Sequence, residues 1–198
     1  MVKKIVIAIS GASGALYGIR ILEVLKPLNI ETHVIISPSA FKTIEYETDY
    51  SKEDVVALST HIYDSQDIGA TISSGSFMVE GMIIAPCSIK SMSSIANSLN
   101  DNLLTRAADV TLKERRKLVL LLRETPLHLG HINLMKNITE MGGVVLPPVP
   151  SFYHKPKSID DIVNQSVGKA LDQFGIEANL FERWPGLQKR EEEILHDS

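Results

Sequence analysis

Residues able to do chemistry cluster at four places in this chain. The first is Ser10-Gly11-Ala12-Ser13-Gly14-Ala15-Leu16-Tyr17-Gly18, which follows the β-branched run Ile5–Ile9. Glycines at 11 and 14 permit a tight turn and close backbone approach. A helix starting behind them offers free N–H groups and a positive dipole end, which suit a phosphate; a plain strand-to-helix turn is the alternative. The other three are Ser37-Pro38, Pro86-Cys87-Ser88 and Arg123-Glu124-Thr125-Pro126, each directly behind an apolar run. Open α/β sheets bind ligands at the carboxyl ends of their strands. Ser37 there is either a helix cap or a ligand contact. Arg123 and Glu124 are either an ion pair or part of a site, and the position favours a site.

The same residues exclude other chemistry. Gly11, Gly14 and Gly18 do not spell the dinucleotide G-x-G-x-x-G, and no Lys-Ser or Lys-Thr follows them as in a P-loop. Ala15 stands where the last glycine of a G-x-S-x-G elbow belongs, so Ser13 is not that nucleophile. A mononucleotide fits better than NAD or ATP. Cys87 has no histidine beside it in sequence and reads as a small apolar residue at a buried strand end rather than a nucleophile. The acidic stretch Glu45-Tyr46-Glu47-Thr48-Asp49 reads as a solvated face. His33, His61, His128, His131, His154 and His196 show no metal-ligand spacing, and the His128/His131 pair suits capping or a surface role. No metal site is predicted.

The elements that must position these groups follow from periodicity. Apolar runs predict strands at 5–9, 31–37, 81–86, 117–122 and 143–146. Amphipathic patterns predict helices at 15–28, 39–60, from 89 onward, at 101–116, 128–141 and 158–174, with Ser158 as the last one's cap. Residues 61–80 show weak periodicity, with 72–77 reading as a loop, and Pro147–His154 is too proline-rich for regular structure. Strands alternating with helices give an α/β, doubly wound, mostly parallel sheet. The 198 residues fit a single domain, with a tail from about 180 to 198.

A net charge of −4 excludes a general attraction to nucleic acid or anionic membrane. One cysteine excludes an intramolecular disulfide and suggests a reducing compartment. There is no signal-peptide apolar region, and no apolar run nears the roughly 20 residues a bilayer requires. The expectation is a cytoplasmic protein.

Taken together, SGASGALYG (10–18), ETD (47–49), ISSGSF (72–77), PCSIKS (86–91), RAADVTLKERRKLVLLLRETP (106–126), LPPVPSFYHKP (146–156) and RW (183–184) resemble the flavin prenyltransferase (UbiX-like) family, also described as polyprenyl-hydroxybenzoate or aromatic acid decarboxylases. The resemblance covers nearly the whole chain and implies a Rossmann-like flavoprotein. It implies a metal-independent transfer of the dimethylallyl group of dimethylallyl phosphate to N5 and C6 of reduced FMN. The product serves a UbiD-like decarboxylase in ubiquinone biosynthesis or aromatic acid decarboxylation, and the family assembles as a homododecamer. Carried over residue by residue, FMN binding falls to Gly11, Ala12, Ser13, Gly14, Ser37, Ser88, Ile89, Lys90, Ser91 and Arg123. Prenyl phosphate binding falls to Arg106, Lys113, Tyr153 and Lys169, some of them expected across a subunit interface. Ser13 sits near the reacting flavin edge, Glu47 and Glu124 assist proton movement, and Trp184 offers a π face to an allylic cation. Two rival readings are a direct FMN-dependent decarboxylase and an FMN carrier. The peptidyl-cysteine decarboxylases carry a Pro-x-Met-Asn clamp that this chain lacks, and a pure carrier needs no second phosphate site.

Overall fold

The computed structural model describes residues 3–186. Six parallel strands form one sheet in the order β3-β2-β1-β4-β5-β6. The strands are β1 (Lys4–Ile9), β2 (Glu31–Ile36), β3 (His61–Tyr63), β4 (Gly81–Cys87), β5 (Lys117–Leu122) and β6 (Val144–Val145). The helices are α1 (Ala15–Leu25), α2 (Pro38–Glu47), α3 (Lys52–Leu58), α4 (Ile89–Ala96), α5 (Leu103–Lys113), α6 (Leu129–Glu140) and α7 (Ile159–Asp172).

Central strands buried on both faces read as continuous apolar runs, and β1 and β4 are of this kind, buried from Ile5 to Ile9 and from Gly81 to Cys87. Alternate residues feed two cores. Ile5, Ile7, Ile9, Ile83, Val119 and Leu121 pack with α1, α7 and the buried faces of α2 and α3. Val6, Ala8, Met82, Ile84, Leu118 and Leu120 pack with α4, α5 and α6. Helix α1 lies very close to the sheet: a Cβ at Gly18 would fall 2.3 Å from the Ala85 carbonyl oxygen. Among the described residues no helix is long and apolar enough to cross a membrane.

The sheet is wholly parallel and has one more strand than the sequence predicts. His61-Ile62-Tyr63 pairs with β2 at the sheet edge, where partly exposed residues leave no apolar run. The helix expected over 39–60 is two helices. Thr48 turns extended, and Ser51 starts α3 with a capping box, accepting from the Asp54 N–H at 3.1 Å while the Ser51 N–H donates to Asp54 Oδ2 at 2.9 Å. The predicted Ser158 cap of α7 forms the same reciprocal pair with Asp161. Histidine spacing along the chain also misleads, because the β2–β3 register brings Glu31, His33 and His61 together. The expected charged tail lies mostly outside the described residues.

Candidate active site

Strand order runs outward from β1 through β2 to β3, then reverses through β4, so the β1/β4 boundary is the topological switch point. The two small-residue turns predicted from sequence flank this boundary. Ser10 joins them. Its buried hydroxyl donates to the Pro86 carbonyl oxygen at 2.8 Å and accepts from the Ser88 N–H at 2.8 Å. A serine directly after five buried apolar residues was the only sequence sign of this role.

The turn after β1 ends at Gly14, whose φ of 95° lies in the left-handed region that glycine tolerates. Its N–H donates to Glu47 Oε2 at 2.7 Å. Glu47, the last residue of α2, is therefore a cap for α1, with its carboxylate at the positive end of the helix dipole. This N–H is thus met by a protein carboxylate. The solvated-face reading of 45–49 holds for exposure, since Glu45, Tyr46, Glu47 and Asp49 are all exposed, but Glu47 also makes this long-range contact.

Two cavities open on either side of this turn. The first, about 330 Å³, is lined by Gly11, Ser37, Ser39, Ser88, Lys90, Ser91, Asn102 and Thr105 among others. Ser37 and Ser88 also cap helices, accepting from Ala40 N–H at 3.1 Å and Ser91 N–H at 3.2 Å. Cap and lining are thus compatible roles. Ser39, Asn102 and Thr105 escaped the sequence reading because their signals are those of helix starts. The second cavity, about 630 Å³, is lined by Ser13, Gly14, Tyr17, Arg123, Glu124 and Thr125 and walled by Pro147–Pro150. The Arg123 N–H donates to the Cys87 carbonyl oxygen at 3.0 Å, which ties this corner to the first. Burial raises the pKa of Tyr17, and the nearby Arg123 charge works against that rise. Glu124 accepts from the Thr125 N–H at 3.0 Å, which orients its carboxylate. Burial pushes the Cys87 thiol far above its ordinary range, so it stays protonated and inert.

The remaining predicted residues lie apart from these linings. Ala12 shapes the turn through its N–H to the Ser10 carbonyl oxygen at 2.9 Å, and Ile89 packs on the second core. Tyr153 meets Trp184 edge-on, with ring centroids 5.9 Å apart. Arg183 holds that tryptophan's segment to α7 through two bonds to Asp172, at 2.9 and 2.6 Å. Arg106, Lys113 and Lys169 line neither cavity. The Arg106 guanidinium donates to the Ser73 carbonyl oxygen at 3.3 Å and to Asp109 at 3.0 Å, Lys113 pairs with Glu114, and Lys169 is exposed in the last turn of α7.

The family model described as Flavoprotein matches residues 1–171. Flavin prenyltransferase UbiX of Thauera aromatica is 62% identical over 188 residues, covering 95% of this chain and 97% of that protein. The chain belongs to the flavin prenyltransferase family. Structural comparison agrees. The crystal structure of AnUbiX (PadA1) in complex with FMN and dimethylallyl pyrophosphate superposes with a TM-score of 0.93 at 48% identity, covering 94% of this chain and all of that one. A dodecameric FMN-dependent Ubix-like decarboxylase from Escherichia coli O157:H7 gives a TM-score of 0.91 at 46% identity over 92% of this chain and 100% of that chain. In this flavin prenyltransferase, the hydroxyl-rich cavity and the cavity that holds Arg123 and Glu124 meet across a single turn.

Proposed function

We propose that this chain transfers the dimethylallyl group of dimethylallyl phosphate to N5 and C6 of reduced FMN, and passes the prenylated flavin to a UbiD-like decarboxylase. The observation that carries this reading is the pair of unlike cavities sharing the Gly11–Gly14 turn at the switch point.

The residues fit FMN. The hydroxyls of Ser37, Ser39, Ser88 and Ser91, the Asn102 amide and the Lys90 ammonium suit a ribityl chain and its phosphate. A Cβ at Gly11 would fall 2.1 Å from Ser39 Oγ, so only glycine keeps this wall clear. When bound, reduced FMN supplies electron-rich N5 and C6 positions that an allylic carbon can alkylate. The chain's own groups do the rest. Ser13 orients the reacting edge at the mouth of the second cavity. Arg123 offers a planar, permanently charged fork to a phosphate. Glu124 takes a proton as the ring system regains its bonding. The Pro147–Pro150 wall excludes water from an allylic carbon with cation character.

Lys113, Lys169 and Arg106 lie away from the cavities of their own chain. A homo-oligomer, of the dodecameric kind its Escherichia coli relative forms, supplies them to a neighbouring copy's prenyl phosphate. The reading puts the enzyme in the cytoplasm, where the single Cys87 stays reduced.

The test is mass spectrometry of the flavin after anaerobic incubation of the protein with reduced FMN and dimethylallyl phosphate, and in parallel with the pyrophosphate. A gain of one C5 prenyl unit is expected. Unchanged FMN on folded, flavin-bound protein with both donors would overturn the transferase reading in favour of a carrier.

A further inference from the structure

At the amino ends of β2 and β3, away from the two cavities, three ligand-bearing side chains converge. Glu31 and His33 are two apart on one strand and share a face, and the parallel register sets His33 beside His61. The two imidazoles stack with centroids 4.8 Å apart. Glu31 Oε1 lies 3.0 Å from His33 Nε2 and 3.3 Å from His61 Nε2. One ligand atom from each residue lies within 4.8 Å of the others. We propose that Glu31, His33 and His61 bind a divalent transition-metal cation of the zinc class, at a site separate from the flavin chemistry.

The geometry supports it first. Zinc holds nitrogen and carboxylate oxygen at about 2.0–2.1 Å, so the edges of its tetrahedron are about 3.3–3.4 Å. The two oxygen-to-nitrogen spans here are already close to that length. Two imidazoles and a carboxylate are also a donor set that zinc and its neighbours accept. The surroundings support it next. His33 is buried, and its Nδ1 lies 2.8 Å from Tyr63 Oη. That bond fixes the ring so that Nε2 faces the carboxylate, as outer-shell partners of metal-bound histidines do. Phe77 packs edge-on against the same ring at 4.9 Å.

Access supports it last. Glu31 and His61 line a cavity of about 430 Å³ beside Lys26, Asn29, Thr32 and Thr60, which leaves room for water in a fourth position. One group opposes the ion. Lys4 Nζ lies 3.3 Å from the same Glu31 oxygen and must give way. It already sits 5.2 Å from the Phe77 ring centre, an alternative partner for its charge. A bound ion would clamp the three-residue edge strand β3 to β2 and stabilise the fold by mass action.

The experiment is equilibrium dialysis of chelator-treated full-length protein against Zn²⁺, with Co²⁺ absorption as a report of coordination. One ion per chain is expected, with a rise in the unfolding midpoint. Tyr63→Phe should weaken binding about tenfold and His61→Ala by more, with flavin binding retained in both as the check on folding. Lys4→Met should tighten binding. No stoichiometric ion on the wild-type protein overturns the proposal. So does binding that survives His61→Ala but is lost in His131→Ala, which would move the ion to the His128/His131 pair, whose rings lie 3.6 Å apart and tilted. Weaker binding in Lys4→Met overturns the assigned competition for Glu31.

Discussion

The two cavities beside the β1 turn are built in different ways. The first is made almost entirely by residues that immediately follow strands or start helices: Gly11 after β1, Ser37 after β2, Ser88 after β4 and Asn102 before α5. Its chemistry is hydroxyl and amide with the Lys90 ammonium, and Ser37, Ser88 and Asn102 also cap helices. The second combines the β1 turn with Arg123 and Glu124 after β5 and a proline wall that belongs to no helix or strand. Its charged pair, Arg123 and Glu124, comes from further along the chain, and its aromatic ring, Tyr17, from α1. The difference teaches that a hydroxyl-rich lining can be built at the sheet edge, whereas the lining around Arg123 and Glu124 also needs a loop.

The strongest way to break this comparison is to displace α1, the helix that begins at the turn both cavities share. Gly18→Ala drives a Cβ to 2.3 Å from the Ala85 carbonyl oxygen, backbone that cannot swing aside, and is expected to cost about 3 kcal/mol. Denaturant unfolding should show that loss together with loss of flavin binding. A cost below about 1 kcal/mol would mean α1 can back away from β4.

Glu124→Gln tests the second cavity alone. Prenyl transfer should fall about 100-fold or more, the scale of general acid–base assistance, while flavin affinity holds. Full activity would remove Glu124 from the proton step. Ser88→Ala tests the first cavity. It deletes the α4 cap at a cost of about 1 kcal/mol and should weaken FMN binding, with transfer at saturating flavin retained. Unchanged flavin affinity in a titration would mean the hydroxyl-lined cavity does not take the flavin's polar end.

The smallest effect lies away from both cavities. Asp161 is held below the ordinary carboxylate range by the Lys157 backbone N–H, at 2.7 Å, and then by Ser158. A carboxyl group whose folded-state value is depressed adds stability above its unfolded value and loses it as pH falls through the folded value. Asp161→Asn should flatten the acid limb of the stability profile slightly and leave both ligands' affinities unchanged. An unaltered limb would mean the cap contributes nothing there.

Much of this was legible in the sequence because parallel strands buried on both faces must be apolar throughout. The runs at 5–9, 31–36, 81–87 and 117–122, and the small-residue turns behind two of them, declared the sheet and its ligand edge. Caps such as Ser158 and Ser37 were readable from residue type. His61–Tyr63 was not, because an edge strand exposed to solvent needs no apolar pattern.

What only the tertiary structure decided depends on contacts between residues distant in sequence. Glu47 sits in an acidic stretch that local pattern assigns to solvent, yet its carboxylate caps a glycine 33 positions earlier. Ser10 links turns 76 residues apart. Arg106, Lys113 and Lys169 share a predicted role, but the fold leaves them outside both cavities of their own chain. Glu31, His33 and His61 meet because parallel register, not spacing, sets which side chains are neighbours. Residue types and periodicity determine which elements form and which edge binds. Strand order, register and helix approach determine which charges meet, because those distances are set by packing rather than by position along the chain.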